Sequence, residues 1–529
     1  VGISYLHRIL PRMTRRERSS IMKKLSSDNS TRLLRWAVPA LFAAFFIWLA
    51  AQIPYAHDDW DWGIGLGMRQ LIYATVNSRY AGNLLEVILT RSEAAKCLIM
   101  GLTFLSLPLA AVWVTPGADN TDEKARIALC CLSLVLFLAT GTDMWRETNG
   151  WVAGFANYSF SALILAVFIR QAQRTLSAEG TESPGRLAAP ALIFVTVFVL
   201  QLYLENLTLY VAAAVLALLI AARHSRSGRI RGWCALVAAL TGTAVMFSSN
   251  IYKSLLSSGY AVDEYRQLTF RADTGLFGVA ASLVRKLAAD IVPPLYLGSS
   301  VHCLILLFVL FMLTMHGKRP LSKRARTAFT VCDALLAIPF VLELFSFSSR
   351  IDALHHRLAV AYAFLVSAAF FAVTAAQLIC LLDGRARGWA LAFWVSAPLV
   401  VLPMAAVNTV GPRTFYTPLF FISLVILTVS AALISAAPVK LRRVLAGLSA
   451  AALAALVLRF SVVYGAIGRV KAERQQLISA ALDAGADEIV LPRFPYAGYL
   501  HGATPVGEEK LMYFKEFYGI PQDVDVLFD

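Results

Sequence analysis

In the stretch YAHDDWDWGIGLGMRQ, which begins at Tyr55, three acids and two tryptophans fill the five positions from Asp58 to Trp62, directly after the first long apolar run. Carboxylates beside hydrocarbon are costly, so they usually have a partner or a task. Asp58 or Asp59 could act as a general base, taking a proton from an acceptor hydroxyl as that hydroxyl attacks. The spacing of Asp59 and Asp61 also suits a divalent metal. The competing reading is a solvated loop with Trp60 and Trp62 as interfacial anchors.

Four further constellations carry chemistry. VNSRYAGNLL holds Arg79 and Asn83; Arg79 could pair with the aspartates or grip a phosphate, and a structural ion pair is at least as good an account. WRETNGWVAGFANYSF offers Glu147, Asn149, Trp151, Asn157 and Tyr158. Aromatic rings with amide and carboxylate neighbours suit a sugar, by stacking on its apolar face and hydrogen bonding to its hydroxyls; an aromatic belt with helix caps is the competing account. YLENLTLY puts Glu205 and Asn206 in a tight turn between two apolar runs, where Glu205 either braces the bundle or lines a site. The fourth is a set of cations: Arg350, His355, His356 and Arg357 in one loop, Arg413 in NTVGPRTFY, and Lys253, Arg271, Arg285 and Lys286 in a long polar segment. Arginine forks suit a lipid phosphate. Arg413 and the Arg350–Arg357 loop are favoured because each is squeezed between apolar runs, and the rest read as ordinary loop charge. His355 and His356 lack a third metal ligand. The chain has no P-loop, dinucleotide glycine pattern or HExxH.

These residues must be positioned by membrane helices. The 529 residues are 58% hydrophobic and only 15% charged. Apolar runs long enough to cross a bilayer as helices recur from end to end: roughly 36–53, 95–114, 126–142, 151–169, 187–204, 206–222, 232–249, 296–315, 327–346, 358–381, 388–407, 417–437 and 443–463. The expected fold is an all-α polytopic membrane protein of about thirteen spans. Seven cysteines sit in or beside these runs without zinc spacing and read as small hydrophobes.

The net charge of +15 sits in short gaps between runs, which encodes orientation and gives no support to nucleic-acid binding. With a cytoplasmic N-terminus, the inner gaps sum to about +20 and the outer ones to about −3. Residues 1–35 then form a cytoplasmic basic arm, with no cleaved signal peptide expected. Residues 36–464 form the bundle, with long outer loops at 54–94 and 250–295, and 465–529 a small extracytoplasmic α/β domain. In that tail, VKAERQQLISAALDAG and GEEKLMYFKEFYGIP read as helices and DEIVLPRF as a strand. It is too small for an independent core and is expected to pack on the membrane part.

An Asp pair a few residues after the first span, in a long outer loop, resembles the GT-C superfamily of integral-membrane glycosyltransferases. HDDWDW, NSRYAGN, WRETNGWVAGFANY and GPRTFY look like a bacterial group within it, some of whose members are assigned to O-antigen or wall-polysaccharide glucosylation. The resemblance is best over the N-terminal seven spans; the later half is matched by topology. It implies transfer of a sugar from a polyprenyl-phosphate donor to a glycan or lipid-linked acceptor on the outer face of the cytoplasmic membrane, with inversion. Asp58 or Asp59 would be the base, with Asp58 favoured, and one of Arg350, Arg357 or Arg413 would neutralise the departing lipid phosphate. The oligosaccharyltransferase WWD tripeptide is absent, which argues against peptide asparagine as acceptor and leaves metal dependence open. The alternatives are a lipid-linked glycan polymerase or ligase, and a transporter or flippase, for which Asp333 and Glu343 within one apolar run are the only hint.

Overall fold

The computed structural model describes residues 37–177, 188–258, 267–270, 275–408 and 410–529. The expected basic arm, Arg271 and part of the 250–295 segment lie outside them.

The described chain is almost entirely helical. The first apolar run forms α1 (Ala37–Gln52). The segment expected as a long loop is itself helical, as α2 (Asp59–Gly63), α3 (Gly65–Tyr73) and α4 (Tyr80–Arg91). Then follow α5 (Glu93–Val114), α6 (Glu123–Leu138), α7 (Thr142–Thr148) and α8 (Val152–Ser177). Next are α9 (Ala188–Leu200), α10 (Glu205–Ala221), α11 (Arg226–Met246), α12 (Asn250–Ser258) and α13 (Gly275–Lys286). The second half holds α14 (Ser300–His316), α15 (Lys323–Glu343), α16 (Phe347–Leu354), α17 (His356–Leu381), α18 (Gly384–Val401), α19 (Tyr416–Ala436) and α20 (Val439–Ala484).

Local sequence sets several helix starts. Ser92, Asp122, Ser225 and Ser322 each accept a backbone N–H three residues on, at the starts of α5, α6, α11 and α15. Short polar side chains there satisfy donors that the helix cannot.

Eight described helical segments are long and apolar enough to cross a membrane, or nine if α6 and α7, bent by 89°, count as one span. The protein is therefore a multi-pass membrane protein. Apolar runs expected as spans also appear as the shorter helices α1, α9 and α10. At the centre lies α19, buried without interruption from Tyr416 to Ala431 and packed against α5, α6, α14 and α18. A helix that is apolar all round belongs inside a bundle.

The two intramembrane acids are structural. Asp333 on α15 accepts both its bonds from Gln377 Nε2 on α17, at 2.8 and 3.0 Å. Glu343 accepts from the backbone N–H and hydroxyl of Ser348, at 3.1 and 2.7 Å.

The last span and the tail's first helix are one element. α20 runs 46 residues, about 69 Å at 1.5 Å per residue, and stops at Gly485, whose φ of 63° closes it. Beyond it, β1 (Glu488–Leu491) pairs in parallel with β2 (Asp525–Phe528), and α21 (Glu508–Tyr518) makes the crossover. β2 was not expected. It is only four residues long and sits at the end of the chain, too short for periodicity to register.

The tail's core is completed by the first loop. Trp60, 1% exposed, packs with Ile478, Ile489, Leu491, Phe514, Ile520 and Val526, its ring edge-on to Phe514 at 5.3 Å. The interfacial-anchor expectation for Trp60 and Trp62 is thus corrected: both are buried. A tail this small has too little apolar surface of its own, and a borrowed indole supplies it.

Candidate active site

The turn after α1 is wound tightly. His57 has φ 51°, a left-handed conformation uncommon for a side-chain-bearing residue and concentrated at functional sites. Its N–H donates to Gly502 O at 3.2 Å, so the loop is tied to the tail where the two meet.

That turn gives the two neighbouring aspartates different tasks. Asp59 is fully buried. Its Oδ2 accepts from Ala56 N (2.9 Å) and Val152 N (3.4 Å), and its Oδ1 from Ala153 N (3.0 Å). It therefore pins the Tyr55 turn to the start of α8. Burial lifts its pKa to about 7, although the backbone donors pull the other way. Asp58 is only partly covered. It lies 2.6 Å from His57 Nδ1 and accepts from Lys510 Nζ of α21 at 2.8 Å. Burial works against its ionised form, but His57 and Lys510 overcome it and hold the carboxyl below its usual range. Lys510 also donates to Asp61 at 3.1 Å. Burial and then the Asp58 charge raise Asp61.

A ring stack extends from Asp58. His57 stands edge-on to Trp151 with centroids 5.8 Å apart, and the His501 ring lies 4.5 Å from Trp151 and 5.1 Å from His57. The Arg413 guanidinium sits 5.5 Å above Trp151. Arg413 N donates to Glu147 Oε2 at 3.3 Å, which fixes the GPR turn to α7. Burial, followed by the charges of His57 and Arg413, brings His501 down to about 4, so its imidazole is neutral at physiological pH.

The structure thus gathers Asp58, Glu147, Trp151 and Arg413, four residues from three distant parts of the sequence. The other candidates are spent locally. Asn149 Oδ1 accepts from Ser159 at 2.7 Å, and Asn157 Nδ2 donates to Ala153 O at 3.0 Å. Both brace the start of α8, where five residues, Phe155–Ser159, form a π turn; such turns are frequent near functional sites. Tyr158 is buried beside them. Arg79 forms a forked pair with Glu205, at 2.7 and 3.2 Å, and Tyr252 donates to the same carboxylate at 2.6 Å. This ties α4 to α10 and α12, and Arg79 does not pair with the aspartates.

Arg350, His355, His356 and Arg357 are exposed and do not join the cluster. His355 caps α17 by accepting from Leu358 N, and His356 meets Asp352 of α16. Among the described residues, no three of His, Cys, Asp or Glu converge on a metal position. Asp59 and Asp61 do not form the chelate their spacing suggested, because one is committed to backbone N–H groups and the other to Lys510.

Sequence reasoning missed His57, His501, Lys510 and Glu86. His501 and Lys510 lie far from Asp58 along the chain and only the folded tail brings them near, while Glu86 reaches it from α4 in the same segment. Glu86 is 2% exposed, and its Oε1 has no partner. Burial and then the charges of Asp59, Asp58 and Asp61 push the pKa of its carboxyl well above the usual range.

Comparison with protein-family models, curated proteins and solved structures finds no match.

Proposed function

We propose that the chain is a membrane glycosyltransferase of GT-C type. It moves a sugar from a polyprenyl-phosphate donor to a glycan or lipid-linked acceptor at the outer face of the bacterial cytoplasmic membrane. One observation carries this reading: a partly open carboxylate (Asp58), a stacking indole (Trp151) and a guanidinium (Arg413) meet at one end of an apolar bundle. A sugar phosphate leaving group needs those three functions together.

In this mechanism the acceptor hydroxyl attacks the anomeric carbon and the bond to the lipid phosphate breaks. Asp58 takes the hydroxyl proton as the new bond forms. His57 and Lys510 keep Asp58 ionised, so it has a lone pair ready to accept that proton. Arg413 neutralises the departing phosphate, with Arg146 close by on α7. Trp151 stacks on the sugar, and neutral His501 orients a hydroxyl. Asp59 positions the loop and is not the base. About thirteen crossings, an inner N-terminus and an outer tail belong to the same reading, supported by the basic gaps between helices.

The test uses the purified chain with a polyprenyl-phosphate sugar and a glycan acceptor. Sugar transfer lost in Asp58→Asn and retained in Arg350→Gln supports the assignment. Transfer at the wild-type rate by Asp58→Asn would overturn it.

A further inference from the structure

A second polar site lies at the opposite end of the bundle. α5 begins near Asp58's loop, where Lys96 donates to Ile53 O at 2.7 Å. Its 22 residues carry the chain about 33 Å away. There a cleft of about 450 Å³ opens between the turn after α5, the end of α8 and the start of α18. That volume falls within the roughly 300–1,000 Å³ of small-ligand sites.

Arg170, Arg174 and Arg385 line the cleft, with Asp119 as the opposing acid on its wall. Arg170 takes up that acid, at 3.3 Å. Arg174 lies over the Trp113 ring at 5.9 Å, and Arg385 donates to Ser177 Oγ at 2.6 Å. No carboxylate among the described residues pairs with Arg174 or Arg385. The cleft also receives the N-terminus of α18, since Arg385 and Ala386 both line it. A helix start adds partial positive charge and free N–H groups. Trp389 lines the cleft and Trp113 is 39% exposed beside it, indoles of the kind that sit at lipid headgroup depth. Arg170 Nε is buried without a partner.

We propose that this cleft binds a phosphate group, held by Arg174, Arg385 and the start of α18. The phosphate is carried either by an anionic phospholipid headgroup or by a soluble phosphate compound. Two guanidiniums beside one neutralised acid leave an excess of forked donors, and the oxygens of one phosphate can accept from both forks at once. The site is separate from the Asp58 cluster and does not depend on the reaction assigned to it.

The experiment uses the full chain purified in neutral detergent. Phosphatidylglycerol, phosphatidylcholine, inorganic phosphate and inorganic pyrophosphate are each titrated, with retention read by native mass spectrometry and by the thermal unfolding midpoint. Arg174→Gln and Arg385→Gln are compared with Arg326→Gln, which removes an exposed cation outside the cleft. Both cleft variants change exposed side chains, and Arg174→Lys serves as a charge-preserving control. Binding of phosphatidylglycerol but not phosphatidylcholine, roughly tenfold weaker in each cleft variant and unchanged in Arg326→Gln, identifies a lipid headgroup. The same pattern with phosphate or pyrophosphate identifies a soluble ligand. Equal binding by all variants, or no binding of any of the four probes, overturns the proposal.

Discussion

Asp58 and Asp59 are adjacent and chemically identical, yet the fold gives them separable roles. Asp58→Asn should lower sugar transfer by at least about 100-fold, the usual range for a lost general base, while leaving gel-filtration behaviour and unfolding midpoint near wild type. Asp59→Ala should do the reverse first. It strands three backbone donors, at 2.9, 3.0 and 3.4 Å, and should lower stability by about 3 kcal/mol, read as a fall in the unfolding midpoint. His501 gives a pH signature. Its imidazole titrates near 4 in the folded chain and near 6.5 when unfolded, so between those values the unfolded state binds more protons. Its contribution to stability is therefore complete above about 6.5 and is lost as pH falls toward 4. The unfolding midpoint of His501→Gln should fall less over that window than that of the wild type; parallel curves would show that His501 is not held neutral.

At the scale of elements, the site exists because the tail closes over the first loop. Lys510 bridges Asp58 and Asp61, and Trp60 completes the tail's core. Gly150 lets α7 approach the tail, since a Cβ there would collide with the Tyr499 carbonyl. Phe514→Ala empties that shared core and should cost about 3–5 kcal/mol locally. The tail should then become susceptible to limited proteolysis while the membrane helices stay intact, and sugar transfer should fall with it. Undiminished transfer by a chain whose tail has been released would show that the tail only decorates the site. This dependence also marks where sequence reading stopped. Periodicity and caps revealed a span over 443–463 and tail helices in VKAERQQLISAALDAG and GEEKLMYFKEFYGIP, because each spans several turns, but not that the first two are one helix, Val439–Ala484. The sequence also singled out Asp58, Trp151, Glu147 and Arg413 by type. Their partners His501 and Lys510 lie more than 440 residues from Asp58, and no local pattern encodes a contact of that range. The partner of Arg79 was hidden for the same reason: a structural ion pair was among its readings, but its counter-ion Glu205 is 126 residues away.

At the scale of the whole molecule, the two polar sites lie at opposite ends of α5 and α8, so they face opposite sides of any membrane the bundle spans. Hydropathy marks the apolar helices, eight or nine of them long enough to span among the described residues, because a bilayer demands satisfied backbone over its full thickness. It gives sidedness only through Lys and Arg bias, which is a statistical force acting during insertion. The proposed orientation puts Glu509 on α21 outside and Lys318, in the basic gap after α14, inside; both side chains are exposed. In a background where the seven cysteines are replaced by serine or alanine, Glu509→Cys should react with a membrane-impermeant maleimide in intact spheroplasts. Lys318→Cys should react only after permeabilisation. The reverse pattern would move the Asp58 cluster to the cytoplasmic face, where a polyprenyl-phosphate sugar flipped outward is out of reach, and the transferase proposal would fail with it. The expected pattern would place the arginine cleft at the inner face, the depth at which its two indoles belong.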